Sequence, residues 1–384
     1  MRLAYVTETY PPEINGVALT ADRFVRGLRV RGHEIDLVRP RQRHETSYDT
    51  GNEWRVPGVS IPMYPDLRVG LPLISRLKRR WSAARPDLVH VATEGPLGWA
   101  AIRAARSNGV PVTSDFRTNF DQYSEHYGLG WLRGVVGGYL KHFHNGTDRT
   151  FVPTPAIATA LAQQGFVRTE VVGRGVDVEQ FSPSHASEKL RASWGAGTNT
   201  PVLLYVGRLA SEKNVPLAFR AFEAVHSRLP DARFVVVGDG PLREKLARSH
   251  PDAIFAGSKR GAILAEYYAS ADIFVFPSLT ETFGNVTLEA LASGLLVAAY
   301  RSGAAAVHID DCSSGVLVEP GDEQGFIASV CALAHQFRWL EQMRAGARRA
   351  AVSANWDAVI NRFEFCLTDA ANAIEAPIPG SCPA

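Results

Sequence analysis

The stretch Pro277-Ser-Leu-Thr-Glu-Thr-Phe-Gly-Asn-Val-Thr-Leu-Glu-Ala-Leu-Ala-Ser-Gly294 follows the short apolar run Asp272-Ile-Phe-Val-Phe-Pro277. That run is β-rich and brief, the pattern of a buried parallel strand. Val286, Leu288 and Leu291 then recur at a spacing compatible with a helix, so strand, turn and amphipathic helix are expected in that order. Glu281 falls in the turn and Glu289 one turn into the helix. Phe283, Gly284 and Asn285 would present free backbone N–H groups at the helix start, where the helix dipole favours an anion.

Outward from this segment, the chain alternates β-rich runs with helical patterns twice over, as parallel sheets covered by helices require. In the first half Leu3 to Thr7, Glu34 to Val38, Asp87 to Ala92, Val110 to Ser114, Thr150 to Pro153 and Glu170 to Val172 read as strands. In the second, Val202 to Val206, Arg233 to Val237, Ala253 to Phe255, Asp272 to Phe276, Leu295 to Ala299 and Gly315 to Val318 do. The strand pattern stops near Phe181-Ser-Pro-Ser184, and the linker Trp194-Gly-Ala-Gly-Thr-Asn-Thr-Pro201 follows. Two Rossmann-like, doubly wound α/β domains are expected, facing each other so that a ligand sits in a cleft at the strand C-terminal ends. The expected boundaries are 1–182, 183–355, a helix over 356–372 and a frayed tail over 373–384.

A chain of 384 residues suits two cores better than one. Lys plus Arg number 41 against 39 Asp plus Glu, so no global attraction to nucleic acid is expected and any anion site must be local. The four cysteines, Cys312, Cys331, Cys366 and Cys382, are widely and irregularly spaced without a Cys-x-x-Cys pair, which fits reduced, non-metal residues of a cytoplasmic protein. No apolar run is long enough to span a bilayer, and no leader pattern precedes Leu3-Ala-Tyr-Val6.

The order acid, open amides, acid is coherent chemistry for a sugar nucleotide. Sugar hydroxyls and a ribose want carboxylate acceptors, and a diphosphate wants the amides. The cationic counterpart stands after Val202-Leu-Leu-Tyr-Val206, at a strand end, where Arg208 and Lys213 could neutralise a diphosphate. Gly238-Asp-Gly-Pro241 is a strand-to-helix turn with Pro at a helix start.

Taken together, Glu281 and Glu289 in Pro-Ser-x-x-Glu-x-Phe-Gly and Glu-Ala-x-Ala-Ser-Gly, with four further segments, resemble glycosyltransferase family 4. Those segments are Val206-Gly-Arg-Leu-Ala-Ser-Glu-Lys-Asn214, Val237-Gly-Asp-Gly-Pro-Leu242, Arg174-Gly-Val-Asp-Val-Glu-Gln-Phe-Ser-Pro183 and Tyr10-Pro-Pro-Glu-Ile-Asn-Gly-Val17. The resemblance covers nearly the whole chain. It implies the two-domain GT-B fold, a terminal helix (Trp356 to Leu367) crossing back to the first domain, and retaining transfer of a hexose of mannose or glucose type. The donor would be a nucleoside-diphosphate sugar and the acceptor a lipid or glycan hydroxyl. Arg208, Lys213, Glu281 and Arg117 are the implied catalytic residues, and Gly16, Gly238, Phe283, Gly284, Asn285 and Glu289 the implied donor-binding residues. Gly16 and Gly238 read equally well as turn glycines without a ligand. The base would rest against Gly257-Ser-Lys-Arg-Gly261, which leaves uracil and guanine undecided. No metal or other cofactor is expected to be required.

Two features depart from the family pattern. In Ser114-Asp-Phe-Arg-Thr-Asn-Phe120, Arg117 stands where many relatives carry histidine, and a guanidinium can donate hydrogen bonds but not act as a base. In Ser302-Gly-Ala-Ala-Ala-Val307, many relatives carry an acid at or beside Val307. Asp115, Glu125, His126 and Glu94 are further polar candidates in the first domain. The basic amphipathic stretch Leu71 to Trp81 and the segment Trp131 to His142 fit either helices packed on a sheet or a peripheral contact with an anionic membrane, at the inner face of the cell membrane. A non-catalytic sugar-nucleotide-binding protein and a sugar-nucleotide epimerase of the same fold are the alternatives at this point.

Overall fold

A computed structural model describes residues 1–13, 15–42, 45, 48–50, 52–61, 64–117 and 132–373. The expectations for Glu125, His126 and the tail beyond Ala373, Cys382 included, lie outside the described residues. The chain forms two compact units, Met1–Gly173 with Val359–Ala384, and Arg174–Ala358. The first unit thus ends before the expected 182, because Val176 and Phe181 pack into the second core. The long helix Trp356–Asn372 starts in the second unit and joins the first from Val359 onward.

The first unit holds β1 (Arg2–Val6), β2 (Glu34–Pro40), β3 (Tyr48–Asp49), β4 (Glu53–Val56), β5 (Gly58–Ile61), β6 (Tyr64–Gly70), β7 (Leu88–Val91), β8 (Val112–Asp115), β9 (Arg149–Val152) and β10 (Thr169–Val171). Eight of them make one sheet in the order β10-β9-β8-β7-β1-β2-β4-β3, while β5 and β6 pair as an antiparallel hairpin. The eight-stranded sheet is parallel except at β3, which runs against β4. Strands β3 to β6 were not legible in the sequence, because none carries the continuous apolar run that marks the buried parallel strands.

The second unit holds β11 (Val202–Val206), β12 (Arg233–Val237), β13 (Ile254–Gly257), β14 (Ile273–Phe276), β15 (Leu296–Tyr300) and β16 (Val316–Val318). They form a wholly parallel sheet in the order β13-β12-β11-β14-β15-β16. Val, Leu, Phe and Ala fill both faces of its central strands, as a sheet covered by helices on both sides demands. Successive strands step outward to one side from β11 and then to the other from β14. The order therefore reverses between these two neighbours, which is where such sheets open a crevice at their carboxyl ends.

The terminal helix seals the first core. The Phe363 ring is fully buried, stacks on Phe24 at 4.1 Å, and meets His90 and Phe151 edge-on at 5.0 and 5.6 Å. Around it Glu364 pairs with His33 at 2.7 Å, and Glu170 receives both Arg362 at 2.7 Å and the Cys366 thiol at 3.0 Å. Burial, then the Glu170 carboxylate, pushes that thiol up to about 12, which makes it an unreactive packing group. Phe363→Ala is expected to destabilise the protein by about 3–5 kcal/mol, the range for an aromatic removed from a packed core. Urea unfolding monitored by circular dichroism measures it, and a loss below 1 kcal/mol would show that the helix is not integral to that unit.

Candidate active site

Three loops leave the carboxyl ends of β11, β12 and β14 in the second unit, and backbone hydrogen bonds fasten them together. Leu209 N donates to the Asp239 carbonyl at 2.9 Å, Leu242 N to the Leu209 carbonyl at 3.0 Å, and Leu279 N to the Glu212 carbonyl at 3.3 Å. Gly238 makes the first junction sterically. Its φ is +143°, and a Cβ there would lie 1.9 Å from the Gly207 carbonyl oxygen, so only glycine lets the two loops touch. The close neighbour of Gly238 in the structure is therefore protein backbone. Tyr205, buried in β11, donates from its hydroxyl to the Arg208 carbonyl at 3.1 Å and fixes the backbone that carries Arg208.

The Arg208 side chain projects into solvent and makes no ion pair or hydrogen bond with the described residues. Lys213, in a single 3-10 turn (Ser211–Lys213), reaches across to the neighbouring loop, where its Nζ lies 2.5 Å from Glu281 Oε1. The structure thus joins two residues that sequence reading had placed near one another without pairing them. Their side chains are only 17% and 10% exposed, which strengthens a charge pair relative to a fully solvated one.

Beyond Glu281 the chain turns into the helix Asn285–Ala292 through Gly284, whose φ of +89° caps the helix in the left-handed region that glycine tolerates. The Phe283 ring is buried, and its carbonyl accepts from Ala304 N, which braces the turn against the segment after β15. Among the described residues the amides of Phe283, Gly284 and Asn285 donate to no group, and Asn285 Oδ1 is buried without a partner. Open N–H groups, Arg208 and the Lys213–Glu281 pair thus gather where the strand order reverses.

Glu289, one turn further, accepts a hydrogen bond from the Tyr268 hydroxyl at 2.9 Å. Burial pushes its carboxyl up to about 7, and the Tyr268 bond offsets only part of that. Tyr268 is fully buried and sits in the helix Gly261–Ala269. Sequence reading missed it, as it missed Tyr205, because a tyrosine in an apolar run carries the signature of a core residue. Lys259, in the loop Gly257 to Gly261, lies 5.7 Å over the Tyr267 ring.

In the first unit, the helix Gly16–Val30 begins at Gly16, and Asn15 Oδ1 already accepts from Val17 N and Ala18 N at 3.1 and 2.8 Å. Glu8, just after β1, is buried and accepts from Gly70 N and Leu97 N at 2.5 and 2.8 Å. Burial dominates these bonds and pushes its carboxyl up to about 7. Arg117 is buried too. Its Nε donates to Asp115 at 2.6 Å and its guanidinium lies 5.3 Å over the Phe24 ring. Burial disfavours the charged Asp115, but Arg117 and then His90 outweigh it and hold the carboxyl down at about 2. The charge of Arg117 is thereby compensated inside this unit, and its Nη1 is buried with no hydrogen-bond partner among the described residues. Glu94 follows β7, with a carboxylate oxygen 3.5 Å from His144.

With this geometry in place, residues 14–180 match the description Glycosyltransferase Family 4 and residues 200–336 match Glycosyl transferases group 1. A GDP-mannose-dependent alpha-mannosyltransferase of Mycolicibacterium smegmatis is 34% identical over 377 residues, 96% of this chain and 98% of that protein. An alpha-monoglucosyldiacylglycerol synthase of Streptococcus pneumoniae is 26% identical over 78% of this chain and 71% of its own length. Among solved structures, sucrose-phosphate synthase from Thermosynechococcus elongatus superposes with a TM-score of 0.77 at 17% identity, covering 97% of this chain and 99% of that one, a likeness of fold. The chain belongs to glycosyltransferase family 4 and is a hexosyltransferase of that family with the expected GT-B type fold.

The raised Glu289 carboxyl has a stability consequence. Its ordinary value is 4.5 and its folded value about 7, so the folded state gains from the protonated form. That stabilisation is complete below about 4.5 and is lost as pH rises through about 7. Glu289→Gln, which mimics the protonated form, is expected to raise unfolding stability at pH 8 and to change it little at pH 4.5. Urea titrations at the two pH values test this, and an equal effect at both would remove burial as the cause.

Proposed function

We propose that the protein is a retaining mannosyltransferase that moves mannose from GDP-mannose to a hydroxyl of a lipid acceptor. The observation that supports this most is the gathering of Arg208, Lys213, Glu281 and the open amides before Asn285 at the sheet's switch point. Such a set supplies two cations and a helix N-terminus for a diphosphate and a carboxylate for sugar hydroxyls. The choice of GDP-mannose rests on the 34% identity to the mycobacterial enzyme over nearly its full length. The lipid acceptor rests on the diacylglycerol relative and on the surface of the first unit. There the helix Ile74–Ala83 exposes Arg76 and Arg79, and the helix Leu132–Asn145 exposes Val135 and Tyr139 beside Lys141. Exposed basic and apolar residues of this kind suit contact with an anionic membrane interface. Among the described residues no helix is long and apolar enough to cross one.

In this reading the bond from sugar C1 to the diphosphate oxygen breaks while the acceptor oxygen bonds to C1 on the same face. The acceptor's proton passes to the departing phosphate oxygen, so no protein base is needed. Arg208, Lys213 and the amides of Gly284 and Asn285 stabilise the charge that develops on the leaving diphosphate. Glu281 orients the sugar through its hydroxyls and Glu289, fixed by Tyr268, holds the ribose. Gly238 keeps the loop that flanks the nucleotide close to the backbone that carries Arg208. The two cations take the part a metal plays in other transferases, and turnover is expected to continue in EDTA.

The test is transfer to membrane lipid by purified protein, offered GDP-mannose, UDP-glucose and UDP-galactose in turn. Mannolipid formation from GDP-mannose, with kcat/KM lowered about 10²–10³-fold by Arg208→Ala, is the expected result. Consumption of UDP-glucose instead would replace mannose by glucose. No glycolipid from any donor would remove the proposed reaction.

A further inference from the structure

Lys213 and Glu281 occupy each other. Glu281 Oε1 takes the ammonium at 2.5 Å, and its Oε2 lies 3.5 Å from where a Cβ on Gly284 would stand. The carboxylate therefore lies against the same cation and the same turn that the donor reading assigns to a diphosphate. Two anions cannot both be best satisfied there. A phosphate drawn to Lys213 either shares the ammonium with a carboxylate beside it, at a cost in like-charge repulsion, or displaces that carboxylate.

We infer that Glu281 is an internal competitor for the diphosphate site, which makes the protein prefer an intact sugar nucleotide over the spent nucleoside diphosphate. The inference rests on the donor-site reading above. When the sugar is attached, its hydroxyls donate to Glu281, so the carboxylate gains new partners as it gives up Lys213. When the sugar has been transferred, the nucleotide offers no hydroxyl at that point. Its terminal phosphate also carries roughly one more negative charge near neutral pH, the second ionisation of a phosphate monoester falling at about 6. Glu281 then returns to Lys213 and helps the product leave. Tyr205 stands near the carboxylate and supplies no cation, and Arg208, at the same end of the sheet, makes no ion pair with Glu281 among the described residues. Within the described structure Lys213 is the cation that Glu281 engages, so the exchange is between a lysine–carboxylate pair and a lysine–phosphate pair.

Isothermal titration with GDP and GDP-mannose, and in parallel with UDP and UDP-glucose, tests this on wild type, Glu281→Gln, Lys213→Met and the double variant. Glu281→Gln is expected to tighten GDP about tenfold and to leave the sugar nucleotide unchanged or weaker, so that the preference for the donor collapses. In the Lys213→Met background the same substitution is expected to change GDP affinity less than twofold, because the contested cation is gone. Glu281→Asp keeps the charge but shortens the reach, and a smaller tightening in the same direction is expected. It serves as the test if the Gln variant does not fold. Equal GDP affinity in wild type and Glu281→Gln overturns the inference while leaving the donor site intact. The same tenfold gain with and without Lys213 also overturns it, since simple repulsion would then suffice. Failure of wild type and variants to bind any of the four nucleotides overturns the donor-site reading and this inference with it.

Discussion

The second unit is governed by the adjacency of β11 and β14 in a parallel sheet whose order reverses between them. Chain leaving β11 must pass to one side toward β12, and chain leaving β14 must pass to the other toward β15. Their first loop residues are thus held side by side with no connection filling the gap. Lys213 bridges the two loops to Glu281, Leu279 N bonds the Glu212 carbonyl beneath that bridge, and Gly238 allows the β12 loop to press against Gly207. None of these contacts spans more than two neighbouring loops, yet together they hold cations, a carboxylate and open amides on one end of the sheet.

The buried tyrosines extend this logic inward. Tyr205 and Tyr268 place apolar rings in the core and hydroxyls at its upper edge, where they fix the Arg208 backbone and the Glu289 carboxylate respectively. Such a residue contributes packing to the fold and orientation to the site through one side chain. The cost is visible at Glu289, whose carboxyl is held in surroundings that favour the neutral acid. A stability penalty concentrated on a polar group at the end of a sheet is what a binding site exacts from a core.

All six strands of the second unit were legible, because each is a short apolar run bounded by turn residues, and the central ones are buried on both faces. In the first unit β1, β2 and β7 to β10 were legible on the same grounds, whereas β3 to β6 were not. They pair locally as β3 with β4 and β5 with β6, but their sequences lack the continuous apolar runs that marked the other strands. The candidate residues were found through local chemistry around strand ends. Their mutual bonding was not, since Lys213 and Glu281 lie far apart in the chain and nothing local links them. Arg117 shows the same limit: the sequence marks it as a departure from the family pattern, but only the structure shows its charge taken up by Asp115 and its guanidinium laid on Phe24.

The central claim is that the second unit binds the sugar nucleotide through the loops after β11 and β14. Hydrogen–deuterium exchange of the intact protein, with and without saturating GDP-mannose or UDP-glucose, tests it most directly. The account predicts slowed exchange in peptides covering 207–214 and 279–289 with either the matching donor or its nucleotide, and weaker slowing in Lys213→Met. Unchanged exchange in both peptides under conditions where calorimetry shows the donor bound would contradict it.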